Sequence, residues 1–328
     1  MQVLAQRLAP ASQPASLDWS VAVFAHNEAA SLPACLQAIA EAGRGTAMDV
    51  TVLLNGSTDA SPAVAMASLR RAGLRGRVCL IPHADKANAI NQFLHRLRPT
   101  AEAYAFVDAY AVVEPHALRH LARALRAAPG ANGAAAVPSS GRSAAALRRQ
   151  IQEQGGLHGS LFALRGTFVE RMVAQGVRLP LGMYRGDGLL GSFVLHDLDA
   201  QGGGWERERI IVAPEATWTA PTLRPWRMKD AKRLWRRMIQ QGRGRLQWPA
   251  IRGAIYDRAR PANAAGFAAL PSEADRLTLE WLAEAPQARM PRWWRDPFAV
   301  LAVRRMRQAP PPPSQPSLAP YLLMETGA

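Results

Sequence analysis

Residues 19–43 read WSVAVFAHNEAASLPACLQAIAEAG, and this order of apolar and polar residues sets the fold class. The first part, up to Ala25, is a short apolar run closed by polar residues, which is typical of a buried strand that ends in a loop. The second part has Ser31 as an N-cap candidate, Pro33 in the first helical turn and Gly43 as the stop. The stretch therefore predicts a strand, a loop and a helix.

The same pattern recurs three times along the chain. Apolar runs closed by polar residues alternate with segments of helical periodicity. The alternation predicts an α/β fold with a Rossmann-like, mostly parallel sheet flanked by helices, and ligands in such folds bind at the carboxyl ends of the strands. The further strand and helix pairs are DVTVLLNGSTD (49–59) with SPAVAMASLRRAG (61–73), RVCLIPH (77–83) with KANAINQFLHRL (86–97), and YAFVDAY (104–110) with EPHALRHLARAL (114–125).

Changes in composition predict four parts of the chain. Residues 1–18 form an N-terminal tail, and residues 19–220 form the main domain, with halves at 19–130 and 131–220. Residues 221–307 form a basic, helical C-terminal extension. Residues 308–328 form a Pro-rich tail, whose run QAPPPPSQPSLAP (308–320) we expect to be extended or disordered.

Composition restricts the class of protein. The 328 residues contain 40 Lys plus Arg against 25 Asp plus Glu, a net charge of +15 that favours an anionic partner. With 48% apolar residues the chain can fill a core, and two cysteines exclude a disulfide scaffold. The sequence shows neither a secretory signal nor an apolar run of membrane-spanning length, so we expect a cytoplasmic protein with Cys35 and Cys79 reduced.

Polar clusters close the four predicted strands, and one pocket could gather them. Six motifs that include these clusters, in their order and spacing, resemble the family 2 glycosyltransferases, whose fold is called GT-A. The first four resemble the nucleotide-binding half and the last two the acceptor half, so the resemblance covers roughly residues 19–220. The motifs are NEAASLPACL (27–36), LNGSTDAS (54–61), KANAIN (86–91), FVDAYAVVEPHAL (106–118), LHGSLFALRGTFVERM (157–172) and YRGDGLLGS (184–192).

The resemblance implies a transfer of sugar from a nucleotide sugar, UDP-linked by preference, to a hydroxyl of a saccharide or lipid acceptor of the cell envelope. It implies that Asn27, Glu28, Asn55 and Ser57 hold the base and ribose. A uracil ring offers one donor and two acceptors that short side chains and backbone groups can pair. The family often has an acid where this chain has Leu54, and a plain turn remains the alternative for residues 55–59.

The same resemblance implies that Lys86 and Asn91 contact the nucleotide-sugar donor. A cation after the third strand can meet phosphate oxygens. Judged without the family, a solvated surface lysine is an equal alternative for Lys86.

The resemblance also makes Asp108 the first acid of an Asp-x-Asp motif and a candidate ligand for Mn²⁺ or Mg²⁺. Tyr110 replaces the second acid, and a neutral phenol is a poor ligand for these cations. We therefore expect weak or absent metal binding. In that case Lys86, Arg165 or Arg185 would meet the charge of the leaving diphosphate, and activity would be unchanged by EDTA.

Asp187 aligns with the acid that serves the family as general base in an inverting displacement, although Gly186 replaces its usual acidic neighbour. The alternative is a helix-terminal acid that is favoured by the helix dipole alone.

Residues 224–245 combine an apolar stripe that includes Trp235 with many cations. Such a helix suits an anionic membrane surface on the inner face of the membrane. The alternative is a helix packed on the main domain, and Arg236, Arg237 or Arg243 could also serve a diphosphate.

A non-catalytic GT-A protein that binds nucleotide or glycan is the second functional hypothesis, because Leu54, Tyr110 and Gly186 replace acids. Nucleic-acid binding is disfavoured, since no recognisable module accompanies the charge.

Overall fold

The computed structural model describes residues 17–141, 144–200, 204–221, 228–256, 266–310 and 313–327. Across these ranges the centre is a nine-stranded sheet with helices on both faces. The predicted α/β class, a mostly parallel sheet flanked by helices, is confirmed. None of the helices in these ranges is long and apolar enough to cross a membrane.

The strands lie in the order β5-β8-β6-β7-β4-β1-β2-β3-β9. Their bounds are β1 (Leu17–Ala25), β2 (Met48–Asn55), β3 (Gly76–Ile81), β4 (Ala101–Asp108), β5 (Val112–Val113), β6 (Gly133–Pro138), β7 (Leu161–Arg165), β8 (Ile210–Thr219) and β9 (Tyr321–Thr326).

Helices and strands alternate up to β4, β5 follows β4 directly, α6 and α7 both lie between β7 and β8, and the helices after β8 follow one another until β9. Their bounds are α1 (Leu32–Ala42), α2 (Ser61–Arg71), α3 (Lys86–Gln92), α4 (Ala117–Ala127), α5 (Ala144–Gln154), α6 (Gly166–Ala174), α7 (Gly186–Leu195), α8 (Met228–Tyr256), α9 (Ala274–Glu284), α10 (Pro286–Arg289), α11 (Pro297–Arg307) and α12 (Gln315–Leu318).

Four central strands, β3, β2, β1 and β4, are parallel neighbours, whereas β7 and β9 run antiparallel to β4 and β3. Parallel strands direct their carboxyl ends to the same edge of a sheet. The loops that follow β1, β2, β3 and β4 therefore meet at one edge, as the sequence predicts.

Side chains of β1 alternate between two hydrophobic layers. Phe24 stacks with Phe106, and Phe106 with Phe162, at ring-centroid distances of 6.2 and 4.6 Å. This row lies on the face covered by α3, α6 and α7. Trp19 and Val21 lie in the second layer, against α1, α2 and α4. Burial on both faces explains why the central strands read as continuous apolar runs.

The C-terminal region is helical in its described parts. Helix α8 packs against α9 and α11. Ile239 of α8 is buried against Ala302 and Met306 of α11. In contrast, Trp235 of α8 remains 52% exposed. The predicted apolar stripe is thus only partly covered by the protein itself.

The tail contains two regular elements: α12 lies within the Pro-rich run that we expected to be extended or disordered, and β9 follows that run. Strand β9 pairs antiparallel with β3 and covers that edge of the sheet. Met324 is buried, and Thr326 Oγ1 donates a hydrogen bond to the Leu74 carbonyl at 2.8 Å. The Pro-rich stretch cannot form such a ladder because proline lacks the backbone N–H, but residues 321–326 contain no proline.

Candidate active site

The loops after β1 and β2 are joined through Asn27, whose φ of +56° is a left-handed conformation that asparagine tolerates. Its Oδ1 accepts the Thr58 N–H at 2.7 Å and the Asp59 N–H at 3.2 Å. The Asn27 N–H in turn donates to Ser57 Oγ at 3.2 Å. The Asn27 side chain and the Ser57 hydroxyl therefore fix the shape of the loops that the sequence assigns to the donor.

Glu28 and Asn55, the other two residues assigned to the base and ribose, differ in what they contact. Asn55 is buried, and its Nδ2 donates to the Ala25 carbonyl at 2.9 Å, which holds the ends of β1 and β2 together. Glu28 accepts the Ser31 hydroxyl at 2.9 Å and an Arg233 N–H at 2.8 Å. The Asn55 side chain thus serves the fold, whereas the Glu28 carboxylate faces helix α8.

Lys86, Asp108 and Tyr110 form a contiguous network at the ends of β3 and β4. The Lys86 ammonium ion-pairs with Asp108 Oδ1. The Tyr110 hydroxyl donates to Asp108 Oδ2 at 2.9 Å. Both oxygens of the Asp108 carboxylate therefore have a partner within the protein.

Gly159, in the turn before β7, brings Asp187 to this network. The Gly159 N–H donates to Asp187 Oδ2 at 2.8 Å. A Cβ placed on Gly159 would lie 2.9 Å from Lys86 Nζ, 3.2 Å from Asp108 Oδ2 and 3.4 Å from Asp187 Oδ2. One cation and two carboxylates thus surround a position where a side chain would not fit. Residues that follow two of the four predicted strands, Lys86 after β3 and Asp108 at the end of β4, thus lie together with the later acid Asp187.

The protonation states of the cluster follow from burial and charge. Burial by itself lowers the pKa of Lys86, but the Asp108 and Asp187 carboxylates outweigh it, so the pKa of Lys86 lies above its usual value. Burial, together with the Asp108 charge, raises the pKa of Tyr110. At neutral pH the cluster therefore holds a charged ammonium and a neutral phenol that donates its hydrogen bond.

His158 precedes this turn and is a neutral packing residue. Its ring stacks on Trp218 at a centroid distance of 5.0 Å. Burial lowers the pKa of His158 below its usual value, despite the neighbouring carboxylates. The ring is thus uncharged at neutral pH and contributes shape to the wall of the site.

The donor set at Asp108 offers a divalent cation few oxygen ligands. Mn²⁺ and Mg²⁺ need several oxygen ligands, and the oxygens of Asp108 are taken by an ammonium and a phenol. Within the described ranges, no group of three or more His, Cys, Asp or Glu residues is arranged to hold a metal ion. Lys86 instead supplies a positive charge at the place assigned to the metal.

Asn91, assigned to the donor, lies away from this cluster. It is buried in α3, where its Nδ2 donates to the Leu179 carbonyl at 2.8 Å and its Oδ1 accepts the Leu179 N–H at 2.9 Å. The assignment is corrected accordingly: both polar atoms of the amide are used to hold the segment that leads to Asp187.

Arg165, assigned to phosphate, also points elsewhere. Its guanidinium donates to the carbonyls of Ala131, Leu125 and Ala128 at 2.7, 2.6 and 2.9 Å. These carbonyls lie at and after the C-terminal end of α4, where helix carbonyls lack intrahelical partners. Arg165 therefore closes the end of α4 and is not a phosphate ligand, whereas Arg185 directly precedes α7 and stays a candidate for phosphate.

Arg165→Met should lower the free energy of unfolding by about 1.5–3 kcal/mol, because three carbonyls lose a charged donor. Urea denaturation measures this change. Arg171→Met is the matched control: Arg171 is half-exposed and pairs with Asp197, so its loss should cost at most about 1 kcal/mol. Equal effects of the two substitutions would contradict the capping role.

Helix α8 covers two sides of the site. Arg233 reaches Glu28, and its guanidinium lies 5.9 Å from the ring centroid of Tyr110. Arg237 hydrogen-bonds Tyr184. Gln247 accepts the Tyr184 N–H at 3.0 Å. The predicted basic helix thus contacts both the β1 loop and the segment before Asp187.

Arg243 is one of the cations that the sequence offers for a diphosphate. It forms a bidentate pair with Asp275 at 2.7 and 2.6 Å. This pairing corrects the assignment, since the guanidinium already has a carboxylate partner.

Two residues of the site escape sequence reasoning. Gly159 lies inside a quoted motif, but its role, to leave space beside Lys86, Asp108 and Asp187, depends on the absence of a side chain and is visible only in the structure. Arg233 is one cation among many in 224–245, and no spacing distinguishes it from its neighbours.

Residues 20–177 match the sequence model of Glycosyl transferase family 2. No curated protein matches the chain. Among solved structures, mannosyltransferase PcManGT from Pyrobaculum calidifontis, in complex with GDP-Man and Mn²⁺, is similar at 20% identity, with 90% of this chain and 81% of that chain covered and a TM-score of 0.56. Glucosyl-3-phosphoglycerate synthase from Mycobacterium tuberculosis, in complex with phosphoglyceric acid, is similar at 17% identity, with 70% and 78% covered and a TM-score of 0.49.

The likeness to the first of these structures shows a shared fold over most of both chains. Together with the family match, it defines the class of domain: a glycosyltransferase domain with a GT-A fold. The match identifies residues 20–177 as a glycosyl transferase family 2 domain, and the described chain has the GT-A fold.

Proposed function

We propose that the protein transfers a sugar from a nucleotide sugar, UDP-linked by preference, to a hydroxyl of a saccharide or lipid acceptor with inversion. The convergence of Lys86, Asp108 and Asp187 around Gly159 carries this proposal. It supplies a cation for a leaving diphosphate and a carboxylate for an acceptor proton within one site.

Asp187 is the general base. Its Oδ2 accepts the Gly159 N–H, which orients the carboxylate and leaves Oδ1 for the acceptor hydroxyl. The acceptor oxygen bonds to the anomeric carbon while the bond from that carbon to the diphosphate oxygen breaks. The acceptor proton passes to Asp187, and the diphosphate leaves with the bonding electron pair. Attack opposite the leaving group inverts the configuration.

Lys86 stabilises the departing diphosphate. A fixed cation at the developing negative charge acts without a metal, and removal of one such group typically costs about 10² to 10³ in rate. Asp108, with Tyr110 behind it, orients the ammonium. Arg185 is the second candidate for the phosphate oxygens. A reaction without a divalent metal follows from this arrangement.

The base and ribose lie against the loops after β1 and β2. Glu28 can accept hydrogen bonds from ribose hydroxyls, and the loop backbone that Asn27, Ser57 and Asn55 hold can pair with the base. Entry of a nucleotide here requires Arg233 to leave Glu28.

The location that we propose is the cytoplasm, with the protein resting on the inner face of the membrane where an envelope acceptor would be met. Cys35 and Cys79 are free and buried. Burial raises the pKa of both thiols to about 12, which keeps them protonated. Free thiols are typical of a reducing compartment.

A nucleotide-sugar screen tests the donor. We expect UDP and UDP-sugars to raise the melting temperature more than GDP and GDP-sugars do. We also expect slow hydrolysis of the preferred UDP-sugar at the same rate with EDTA or with Mn²⁺. Binding of a nucleotide sugar without any turnover, also in the presence of acceptors, would favour the non-catalytic hypothesis. A chain that binds none of these compounds contradicts the proposed function.

A further inference from the structure

Six exposed residues form a basic and aromatic surface beside the site, which we name the tryptophan surface. Three come from the start of α8 and three from the segment before α11. They are Lys232, Trp235, Arg236, Arg292, Trp293 and Trp294.

Contacts between α8 and α11 hold the two segments side by side. The Trp235 ring meets the Phe298 ring edge-on at a centroid distance of 5.3 Å. Arg245 of α8 forms a bidentate pair with Asp296 at 2.7 and 2.8 Å, and Asp296 also caps α11 by accepting the Ala299 N–H at 2.9 Å. Phe298 lies four residues after Trp294, so the three tryptophans lie in one region of the surface.

The tryptophans of this surface are largely exposed. Trp235, Trp293 and Trp294 are 52, 59 and 76% exposed. Tryptophan is highly buried on average, so three exposed rings together indicate a partner that covers them. The Arg292 guanidinium lies 5.7 Å from the Trp294 ring centroid, which places a cation directly at an exposed ring.

Rings with cations around them suit the boundary between lipid headgroups and acyl chains. Tryptophan rings favour that depth, and each cation near an anionic leaflet is attracted to it. Single-stranded nucleic acid also stacks on aromatic rings, but the proteins that bind it use a positively charged groove. Here the rings come from a turn and a helix and are exposed, Trp294 most of all at 76%. The net charge of +15 adds to the attraction to an anionic bilayer.

The orientation of α8 connects this surface with the reaction. Arg233 and Arg237, one turn apart, reach Glu28 and Tyr184 at the site. Trp235 lies between them in sequence and therefore on the opposite side of the helix. One helix thus separates the mouth of the site from the tryptophan surface.

We propose that the tryptophan surface docks on a bilayer that contains anionic lipid, with the three rings at headgroup depth and the mouth of the site beside the membrane. Such docking would present a lipid-linked acceptor hydroxyl to Asp187. That acceptor rests on the proposed function, whereas docking itself does not.

Vesicle sedimentation with the full-length protein tests the proposal. The probes are vesicles of phosphatidylcholine alone and vesicles with equal amounts of phosphatidylcholine and phosphatidylglycerol. We expect binding to the anionic vesicles, with a shift of tryptophan fluorescence to shorter wavelength. The double substitution Trp293→Ser with Trp294→Ser should lower the partition coefficient of the protein onto anionic vesicles by at least about tenfold.

Trp205→Ser is the matched control, since Trp205 is 51% exposed but lies outside the surface, next to Glu206. It should bind vesicles as the wild type does. Circular dichroism and the melting temperature verify that each variant is folded. Asp187→Asn should also bind vesicles normally, so that a failure of the chemistry and a failure of docking are told apart.

Three results would overturn the proposal. The first is a wild type that does not bind anionic vesicles at low salt, and the second is a double variant that binds as well as the wild type. The third is tryptophan-dependent binding to single-stranded nucleic acid in preference to vesicles, which would identify a different partner.

Discussion

Asp187→Asn should reduce turnover by about 10² to 10⁴ while the affinity for the nucleotide sugar stays unchanged. The amide keeps the size of the side chain, and its carbonyl can still accept the Gly159 N–H that Asp187 now accepts at 2.8 Å. What the amide cannot do is take a proton from an acceptor hydroxyl. Rate measurements at saturating donor, with nucleotide affinity measured by calorimetry, separate the two effects.

Asp18→Asn is the matched control for this substitution. Asp18 accepts the Ala47 N–H at the same 2.8 Å, but it lies at the start of β1, at the opposite edge of the sheet. It should leave turnover unchanged. If Asp187→Asn retained turnover as well, Asp187 would be an acid in the first turn of α7 that is favoured by the helix dipole alone.

Lys86→Met should lower the rate of sugar transfer by about 10² to 10³, because methionine fills the space of the side chain but leaves the departing diphosphate without its cation. The wild type should be equally active in EDTA and in Mn²⁺. Assays of both proteins with EDTA, Mg²⁺ or Mn²⁺ measure the effect. Arg70→Met, which removes an exposed cation from the far end of α2, should change none of these rates.

Tyr110→Asp provides the converse test. It adds a carboxylate beside Asp108 and removes the phenol that now donates to Asp108 at 2.9 Å. The oxygen ligands that Mn²⁺ prefers are thereby increased, so Mn²⁺ should bind this variant more tightly than the wild type, as titration calorimetry would detect. A wild type that depends fully on added Mn²⁺ would refute the role assigned to Lys86.

The strand ends were predictable from the sequence because each buried strand stops at a polar residue. Asp108 and Lys86 could be placed at one edge from local pattern alone, since the carboxyl ends of parallel strands meet. The family resemblance added Asp187, which lies far along the chain. The convergence of these three residues in space is the part of the site that the sequence predicts well.

The directions of individual side chains could not be predicted in this way. Asn91 pairs with the backbone of Leu179, 88 residues away, and Arg165 with carbonyls that lie 34 to 40 residues away. Neither contact leaves a periodic signal, because one polar residue in a helix or at a strand end is compatible with many partners. Strand β9 could not be predicted for a similar reason, since its partner β3 lies about 240 residues earlier in the chain.

The ion pair between Arg233 and Glu28 gives the free protein two populations. In one the pair is closed across the space between Glu28 and Tyr110, and in the other the space is open to a ligand. The apparent affinity of any ligand that enters there is reduced by the open fraction. Arg233 is about half-exposed and Glu28 largely buried, so such a pair is worth on the order of 1 kcal/mol, and the open fraction is on the order of one in six. A nucleotide that binds Glu28 would therefore compete with the Arg233 side chain of the protein itself.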